Sequence, residues 1–220
     1  MTGVAVGDLV LHVDGSKPIS PASVEAVLKI CDQAEDQYGS GPLVVHVSGA
    51  PQPGWTTDVS VGLLTKWERA VRRLEHLGRI TVAVAADVCG GTAFELLLAT
   101  DVRIAVTGAS FVVTSGGDAT WPGMALYRLA RQGTGAPLRK AALLGTVIAA
   151  EAAVAAGLID IVVDEADEAV VAITAASATV SGKELAIRRR LMLDAPQQSF
   201  EDALGSHLAA CDRALRRATA

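Results

Sequence analysis

Hydrophobic and polar positions follow two alternating periods in the first part of the chain. Short apolar runs, typical of buried strands, are separated by longer stretches in which apolar residues recur at helical spacing. The strands are predicted at 9–13, 43–47 and 80–86, and the helices between them include Val27 and Trp67 among their apolar positions. Strand–helix–strand order predicts parallel pairing with right-handed crossovers, and therefore an α/β sheet covered by helices.

The predicted helices are bounded by residues that start or stop a helix. Ser20 and Pro21 are typical of an N-cap and a first helical residue, while Gly39 and Gly78 are expected to end the first and second helices. Further along, a strand is predicted at 102–106, with its hairpin partner or neighbour at 110–113 and a glycine-rich loop at 115–123. Three helices follow at 124–131, 137–144 and 149–155. A last strand is predicted at 158–163, and the chain is predicted to be helical from 165 onward.

Composition and charge narrow the class of protein. The chain has 220 residues, of which 50% are hydrophobic and only 4% aromatic, and this suits aliphatic helices packed on a buried sheet. We expect one unit over 1–165, followed by a helical region over 166–220. The net charge of −5 provides no field that attracts a polyanion, so no nucleic-acid partner is expected.

Several segments and sites are not expected. The three cysteines, Cys31, Cys89 and Cys211, are scattered, which favours a reducing, cytoplasmic setting. The chain starts without the basic segment of a signal peptide, and its apolar runs fall short of the roughly 20 residues that span a bilayer. The histidines do not cluster at metal-ligand spacing, so no metal is predicted.

The segment 84–105, VAADVCGGTAFELLLATDVRIA, contains the clearest candidate chemistry. Gly90 and Gly91 directly precede a predicted helix N-terminus, whose unpaired N–H groups favour negative charge. Ligand sites in parallel sheets lie outside the carboxyl ends of the strands, where the loop 49–57 also leaves. That loop is a second source of N–H donors, so the residues predict an oxyanion site with Glu95 one turn away, facing the same crevice.

Two structural interpretations compete with this one. Thr92 and Glu95 have the spacing of a capping box, in which Glu95 returns a hydrogen bond to the Thr92 backbone. The Gly90–Gly91 pair could also serve only to let a helix and a strand approach closely. Both interpretations stay open at this point.

A family resemblance follows from longer motifs. GGTAFELLLATDVRIA, then GASF, a Pro122–Gly123 step, RLAR and LLGTVIAAEAAVAAGLIDIVV resemble the crotonase superfamily, the enoyl-CoA hydratase and isomerase group. The likeness runs from about Leu9 to the C-terminus and is most specific at 90–105 and 143–163. It implies a crotonase-like spiral of ββα repeats, with C-terminal helices that assemble trimers. It also implies acyl-CoA thioester substrates, so coenzyme A enters as part of the substrate and no cofactor is covalently bound.

The resemblance assigns the two N–H donors that bind the thioester oxygen. One donor falls on Gly91 or Thr92. The other belongs to the stretch PGWTTDV, which places Gly54 at the donor position and Asp58 on the family's aspartate. Thr56 stands where the family usually has glycine.

The resemblance also assigns the acid–base residues. Glu95 matches the first of the two hydratase glutamates, whereas the second would fall near Ser115, where no carboxylate stands. Asp118 is the nearby carboxylate, and it would need a rearranged loop to take that role. A single base still permits syn elimination, so dehydration is favoured over hydration.

Three further residues, Trp55, Ser115 and Trp121, are predicted to line the substrate pocket. Trp55 and Trp121 flank the crevice and are expected either to line the acyl pocket or to act as packing anchors. The run Arg188, Arg189 and Arg190 is either a solvated helix face or, as the resemblance implies, a contact to the CoA phosphates or adenine, which a neighbouring subunit could provide.

Within the superfamily, the chain resembles a subgroup of small proteins of antibiotic biosynthesis in its compact length and its one glutamate. Its members accompany a type III polyketide synthase in making 3,5-dihydroxyphenylacetyl-CoA, a precursor of dihydroxyphenylglycine. This implies a lyase that assists dehydration, assembled as a homotrimer or hexamer, with the synthase as a partner. The alternatives are a short-chain hydratase that has lost one glutamate, a non-catalytic partner that stimulates the synthase, and a CoA thioesterase.

Overall fold

The computed structural model describes residues 9–37, 41–178, 180 and 182–218. Within these residues the chain forms seven strands, namely β1 (Val10–Asp14), β2 (Leu43–Gly49), β3 (Thr81–Cys89), β4 (Val102–Val106), β5 (Ser110–Phe111), β6 (Ile148–Ala149) and β7 (Ile161–Val163). The α-helices of the same residues are α1 (Pro21–Asp36), α2 (Val61–Glu75), α3 (Gly91–Leu98), α4 (Met124–Gln132), α5 (Ala136–Leu144), α6 (Ala150–Ala155), α7 (Ala166–Ser177), α8 (Gly182–Asp194) and α9 (Phe200–Ala218). A 3-10 helix over Ala195–Gln197 follows α8.

The sheet is parallel along its main path, as the strand–helix–strand pattern predicts. Its order is β1-β2-β3-β4-β7, and the paired strands on this path all run in the same direction. The prediction that 110–113 lies beside β4 is wrong, because β5 pairs in parallel with the end of β3. The change of partner lies just after a register shift between β2 and β3, since Val47 pairs with Ala85 but Gly49 pairs with Cys89.

The helix boundaries confirm some of the sequence signals. The hydroxyl of Ser20 caps α1 by accepting from the Ser23 N–H at 3.1 Å. The helix ends at Asp36, and Gly39 lies outside the described residues. Helix α2 ends at Glu75 with His76 as its C-cap, so it stops before the predicted Gly78.

The two faces of the sheet are covered by different helices. Alternate residues of β2, such as Val45 and Val47, join one core cluster with the buried residues of α1, α2 and α3. Val44, one residue before Val45, faces the other side with Val82, where α7 packs. Burial on both faces explains why the strands read as continuous apolar runs.

The C-terminal helices differ in how firmly they are packed. Helix α8 buries Leu185 and Arg189, whereas α9 has no buried residue along its described length. No single helix in the described ranges is long and apolar enough to cross a membrane. One pair, Ala166–Ser177 with Gly182–Gln197, meets that test of length and composition only when it is joined across a bend of 105°.

Candidate active site

A small cavity opens beside the N-terminus of α3, at the carboxyl ends of the central strands. Five of the predicted site residues line it together, namely Gly91, Thr92, Glu95, Trp55 and Trp121. The full lining is Lys17, Ile19, Pro51, Trp55, Gly91, Thr92, Phe94, Glu95, Val112, Val113, Thr114, Trp121 and Ala125.

The first turn of α3 lies at this cavity, and Gly91 and Thr92 line it. Gly90 is the N-cap and provides no side-chain cap, while its own N–H donates to the Gly49 carbonyl at 2.9 Å. The N–H groups of Gly91 and Thr92 belong to the first helical turn, so they have no intrahelical acceptor. Gly91 has a φ of 51°, a left-handed conformation that favours glycine. Gly91 and Thr92 line the cavity, and their role as donors to the thioester oxygen stays a prediction.

Close backbone contacts hold this helix terminus in place. A Cβ at Gly15 would lie 2.4 Å from the carbonyl oxygens of both Gly49 and Gly90, so the chain after β1 tolerates no side chain there. A Cβ at Gly90 would come within 2.8 Å of the Ala50 side chain. These contacts agree with the close-approach interpretation of Gly90, while the donor role of its neighbours stays a prediction.

Glu95 is a buried carboxylic acid with one hydrogen bond from the chain. Its side chain lines the cavity although the residue is only 6% exposed, and the Trp67 indole Nε1 donates to its Oε2 at 2.5 Å. The capping-box interpretation is wrong, because α3 begins at Gly91 and its N-cap is Gly90, not Thr92.

The surroundings of Glu95 raise its pKa to about 7. Burial is the largest cause and the Glu68 carboxylate adds to it, whereas the Trp67 hydrogen bond and the Arg128 charge lower the pKa. A carboxyl with a pKa near neutrality can both accept and return a proton under ordinary conditions.

An ion-pair network lies behind Glu95. The Arg128 guanidinium of α4 is buried and sits 3.0 Å from the Glu68 carboxylate and 3.7 Å from that of Glu75, both on α2. Burial raises the pKa of Glu68, although Arg128 opposes this. The network therefore supplies both a negative and a positive charge close to the candidate acid. The sequence pattern places Trp67 among the apolar positions of a helix but does not identify its contact with Glu95 or the ion-pair network. Helical spacing shows which positions are buried, but it does not show which residues of other helices they contact.

Two indoles form one wall of the cavity. The Trp55 and Trp121 rings meet at 5.1 Å between centroids and 72° between planes, an edge-to-face pair. Trp55 Nε1 donates to the Ser115 carbonyl at 2.8 Å. A Cβ at Gly116 or at Gly123 would lie 2.7 Å from Trp121 ring atoms, so glycine makes room for the ring. Both predicted roles, pocket lining and packing, describe these residues.

The structure does not bring Gly54 to the cavity. Gly54 is exposed on the outer side of its loop, with a φ of 88°, and its carbonyl accepts from the Thr57 N–H at 3.1 Å. Pro51 and Trp55 are the residues of this loop that reach the lining. Asp58 is also exposed.

Ser115 and Asp118 lie on an exposed turn instead of in the cavity. Ser115 pairs with Thr120 across this turn, and both Ser115 and Asp118 face solvent. Val113 and Thr114 line the cavity just before it. Among the described residues of the lining, Glu95 is the one carboxylate.

The three consecutive arginines of α8, at 188–190, have different surroundings. Arg189 is buried and pairs with Asp101 at 2.6 Å, and it also donates to the Leu77 and Arg79 carbonyls. Asp101 precedes β4, so Arg189 lies at the amino end of the sheet, away from the cavity. Arg188 and Arg190 are exposed on α8.

Lys17 is the basic side chain that does line the cavity. It follows β1, is largely exposed, and lies 3.5 Å from the Asp14 carboxylate. Its place directly after a strand is the signal by which the sequence could have pointed to it.

Comparison with known proteins identifies the family. The chain is 51% identical over 211 residues to an enoyl-CoA hydratase from Amycolatopsis orientalis, covering 96% of this chain and 97% of that protein. It belongs to the enoyl-CoA hydratase family. No family model matches the chain.

Solved structures show that this hydratase-family chain has the crotonase fold. An enoyl-CoA hydratase/isomerase family protein from Silicibacter pomeroyi superposes with a TM-score of 0.78 at 19% identity, over 98% of this chain and 99% of that one. An enoyl-CoA hydratase from Thermoplasma volcanium gives 0.78 at 16% identity, over 94% and 88%. The predicted superfamily and α/β fold class are confirmed, and the C-terminal helical region is present.

Proposed function

We propose that the chain is an acyl-CoA dehydratase or hydratase of the crotonase type in which Glu95 moves the protons. The observation that carries the proposal is one cavity that holds an uncapped helix N-terminus and a single buried carboxyl with a pKa of about 7. Membership of the enoyl-CoA hydratase family supports the same substrate class.

The thioester oxygen is proposed to bind at the N-terminus of α3. The N–H of Gly91 or Thr92 would then face the negative charge that develops when the thioester becomes an enolate. One such donor is worth about 3 kcal/mol in the transition state. The loop 49–57 supplies no second donor through its lining residues. Pro51 has no N–H, and Trp55 donates its backbone N–H to the Gln52 carbonyl at 3.3 Å and its indole N–H to the Ser115 carbonyl at 2.8 Å.

Glu95 is proposed to act first as a base and then as an acid. Its carboxylate takes the α-proton of a β-hydroxyacyl thioester, and the electrons of the C–H bond move into the enolate. As the enolate collapses to the α,β-double bond, the C–O bond breaks and the protonated Glu95 gives its proton to the departing hydroxide, which leaves as water. Hydration is the same sequence in reverse.

The substrate is proposed to be a malonyl-derived polyketide carried on coenzyme A, with no covalently bound cofactor. In this role the protein acts beside a type III polyketide synthase in forming 3,5-dihydroxyphenylacetyl-CoA. The edge-to-face pair of Trp55 and Trp121 supports the proposal of a flat, unsaturated acyl group, because indole rings pack well against flat, unsaturated groups. Lys17 is placed to meet the negative charge of coenzyme A.

The assembly is proposed to be a homotrimer or hexamer. Helix α9 supports this, because it presents a row of exposed apolar side chains at helical spacing, Phe200, Leu204, Leu208 and Leu215. In an assembly, the exposed Arg188 and Arg190 of one subunit could reach the coenzyme A of another, whereas Arg189 is held by Asp101.

The Glu95→Gln variant tests the catalytic role. It preserves shape but removes the acid and base, so turnover of a β-hydroxyacyl-CoA should fall at least about 100-fold while acyl-CoA affinity is kept. Equal turnover in variant and parent would rule the role out.

A second candidate function, a stimulatory partner without catalysis, is favoured by the single carboxylate of the cavity. In that case Glu95→Gln would leave the stimulation of the purified synthase intact. Thioester hydrolysis in the same cavity would instead release free coenzyme A without dehydrating the acyl group.

A further inference from the structure

Trp67 makes a contact with Glu95 that core packing alone does not require. The indole lies on α2, is fully buried, and directs its one N–H to Oε2 of Glu95 on α3 at 2.5 Å. A buried indole N–H needs an acceptor, and any acceptor in the core would satisfy it. In the described part of the chain, this is the one hydrogen bond made to the Glu95 carboxyl.

The other oxygen of Glu95 has different surroundings. A Cβ placed on Gly123 would lie 3.3 Å from Oε1, and the same point would lie 2.7 Å from Trp121 Nε1. Trp121 belongs to the cavity wall. Oε1 therefore lies next to Gly123, beside the Trp121 ring of the cavity wall, whereas Oε2 accepts the hydrogen bond from the buried Trp67.

We propose that Trp67 is a positioning residue that fixes the Glu95 carboxyl so that Oε1 exchanges protons with the substrate. The proposal rests on the proposed function of Glu95. The terminal torsion of a glutamate is broad and roughly two-fold, so an unheld carboxyl would sample many orientations. Holding it in one orientation shortens the search for a reactive geometry, and small misplacements of this kind cost up to about 100-fold in rate.

The charges around Glu95 give the expected direction in pH. Glu68 faces it from α2, Arg128 from α4, and Lys17 lines the same cavity after β1. Against this unchanged set, the Trp67 hydrogen bond lowers the pKa of Glu95. Its loss should therefore raise that pKa above about 7. Because Glu95 starts the elimination as a base, the acid side of the rate profile should move to higher pH.

Trp67→Phe tests the proposal, because phenylalanine keeps an aromatic ring and removes the N–H. We expect kcat to fall about 10- to 100-fold with KM little changed, and the acid limb of the kcat profile to move to higher pH. Carbon-13 NMR of protein labelled at glutamate carboxyls should show Glu95 titrating at higher pH, with Glu95→Gln identifying the signal.

Leu74→Ala is the matched control. Leu74 lies two turns along the same face of α2 and is also fully buried, so the substitution loosens the core without touching Glu95. It should lower the melting temperature and leave both pH profiles in place. An unmoved Glu95 titration in Trp67→Phe, or a rate loss equal to that of Leu74→Ala, would overturn the proposal.

The two proposals fail in different ways. Full turnover in Glu95→Gln would remove the proposed function, while a moved carboxyl titration in Trp67→Phe would still support the hold of Trp67 on the carboxyl. If Glu95→Gln lost turnover but the pKa of Glu95 were unchanged in Trp67→Phe, the proposed function would be supported and the positioning role of Trp67 would be ruled out.

Discussion

Glu95 and Gly91 lie four residues, about one helical turn, apart on α3, and both line the cavity. Glu95 is the proposed proton-transferring group, and Gly91, the first residue of α3, lines the same cavity. Both residues contact neighbours that are distant in sequence. Trp67 donates a hydrogen bond to the Glu95 carboxyl, and Gly15 and Pro51 lie close to Gly91. The chemistry of the cavity is therefore decided by a few contacts between loops and helices.

Gly91→Ala tests the residue scale. The φ of 51° strains a side chain, and the new Cβ would lie 3.0 Å from Pro51 and 3.1 Å from the Gly15 carbonyl oxygen. We expect a loss of about 1–2 kcal/mol in the free energy of unfolding and a fall of at least about 10-fold in kcat/KM, measured by denaturant unfolding and steady-state kinetics.

Gly108→Ala is the control for backbone strain alone. Gly108 has a φ of 87° in open space, so alanine there should cost similar stability without changing kcat/KM. Equal kinetic losses in the two variants would show that the α3 terminus has no special part in the reaction.

At the scale of elements, α8 is attached to the sheet by one buried ion pair. Arg189 spans from α8 to Asp101 before β4 and to two carbonyls before β3, so it joins the C-terminal region to the amino end of the sheet. When this buried arginine is removed, Asp101 loses its ion pair, although Thr81 still donates to its carboxylate, and the Leu77 and Arg79 carbonyls lose a donor.

Arg189→Met should therefore lower the free energy of unfolding by about 3 kcal/mol. Arg190→Met removes an exposed pair with Asp194 and should change it by less than about 0.5 kcal/mol. Urea denaturation of both variants measures the difference. If the two variants were equally stable, α8 would not depend on the buried pair.

The sequence predicted the elements of the site better than their contacts. Strand order and the motif around Glu95 follow from local periodicity and from residues close in sequence, and these placed Gly91, Thr92 and Glu95 in one cavity. The pairing of β5 with β3 lies just after a register shift that no apolar pattern marks. The roles of Trp67 and Arg189 depend on partners 28 and 88 residues away, which helical spacing cannot identify.

At the scale of the whole molecule, the apolar row on α9 supports the proposed assembly. Leu208 is 58% exposed and Phe200 is 74% exposed, although both are large hydrophobic residues. Leu208→Asp should shift the protein to a smaller species in analytical ultracentrifugation, because a charge cannot be buried unpaired in an apolar interface. The control Val61→Asp changes an equally apolar and exposed residue on α2 and should leave the assembly unchanged. A monomeric parent would contradict the proposed trimer or hexamer.

The most direct test of the central claim is deuterium exchange at the α-carbon of a bound acyl-CoA in D₂O. It reports removal of the α-proton at the cavity, whichever acyl group is the natural one. The account predicts that the parent protein introduces deuterium at the α-carbon and that Glu95→Gln binds the same acyl-CoA without doing so. Exchange at equal rates in both proteins, or in neither, would contradict a role for Glu95 as the base beside the α3 N-terminus.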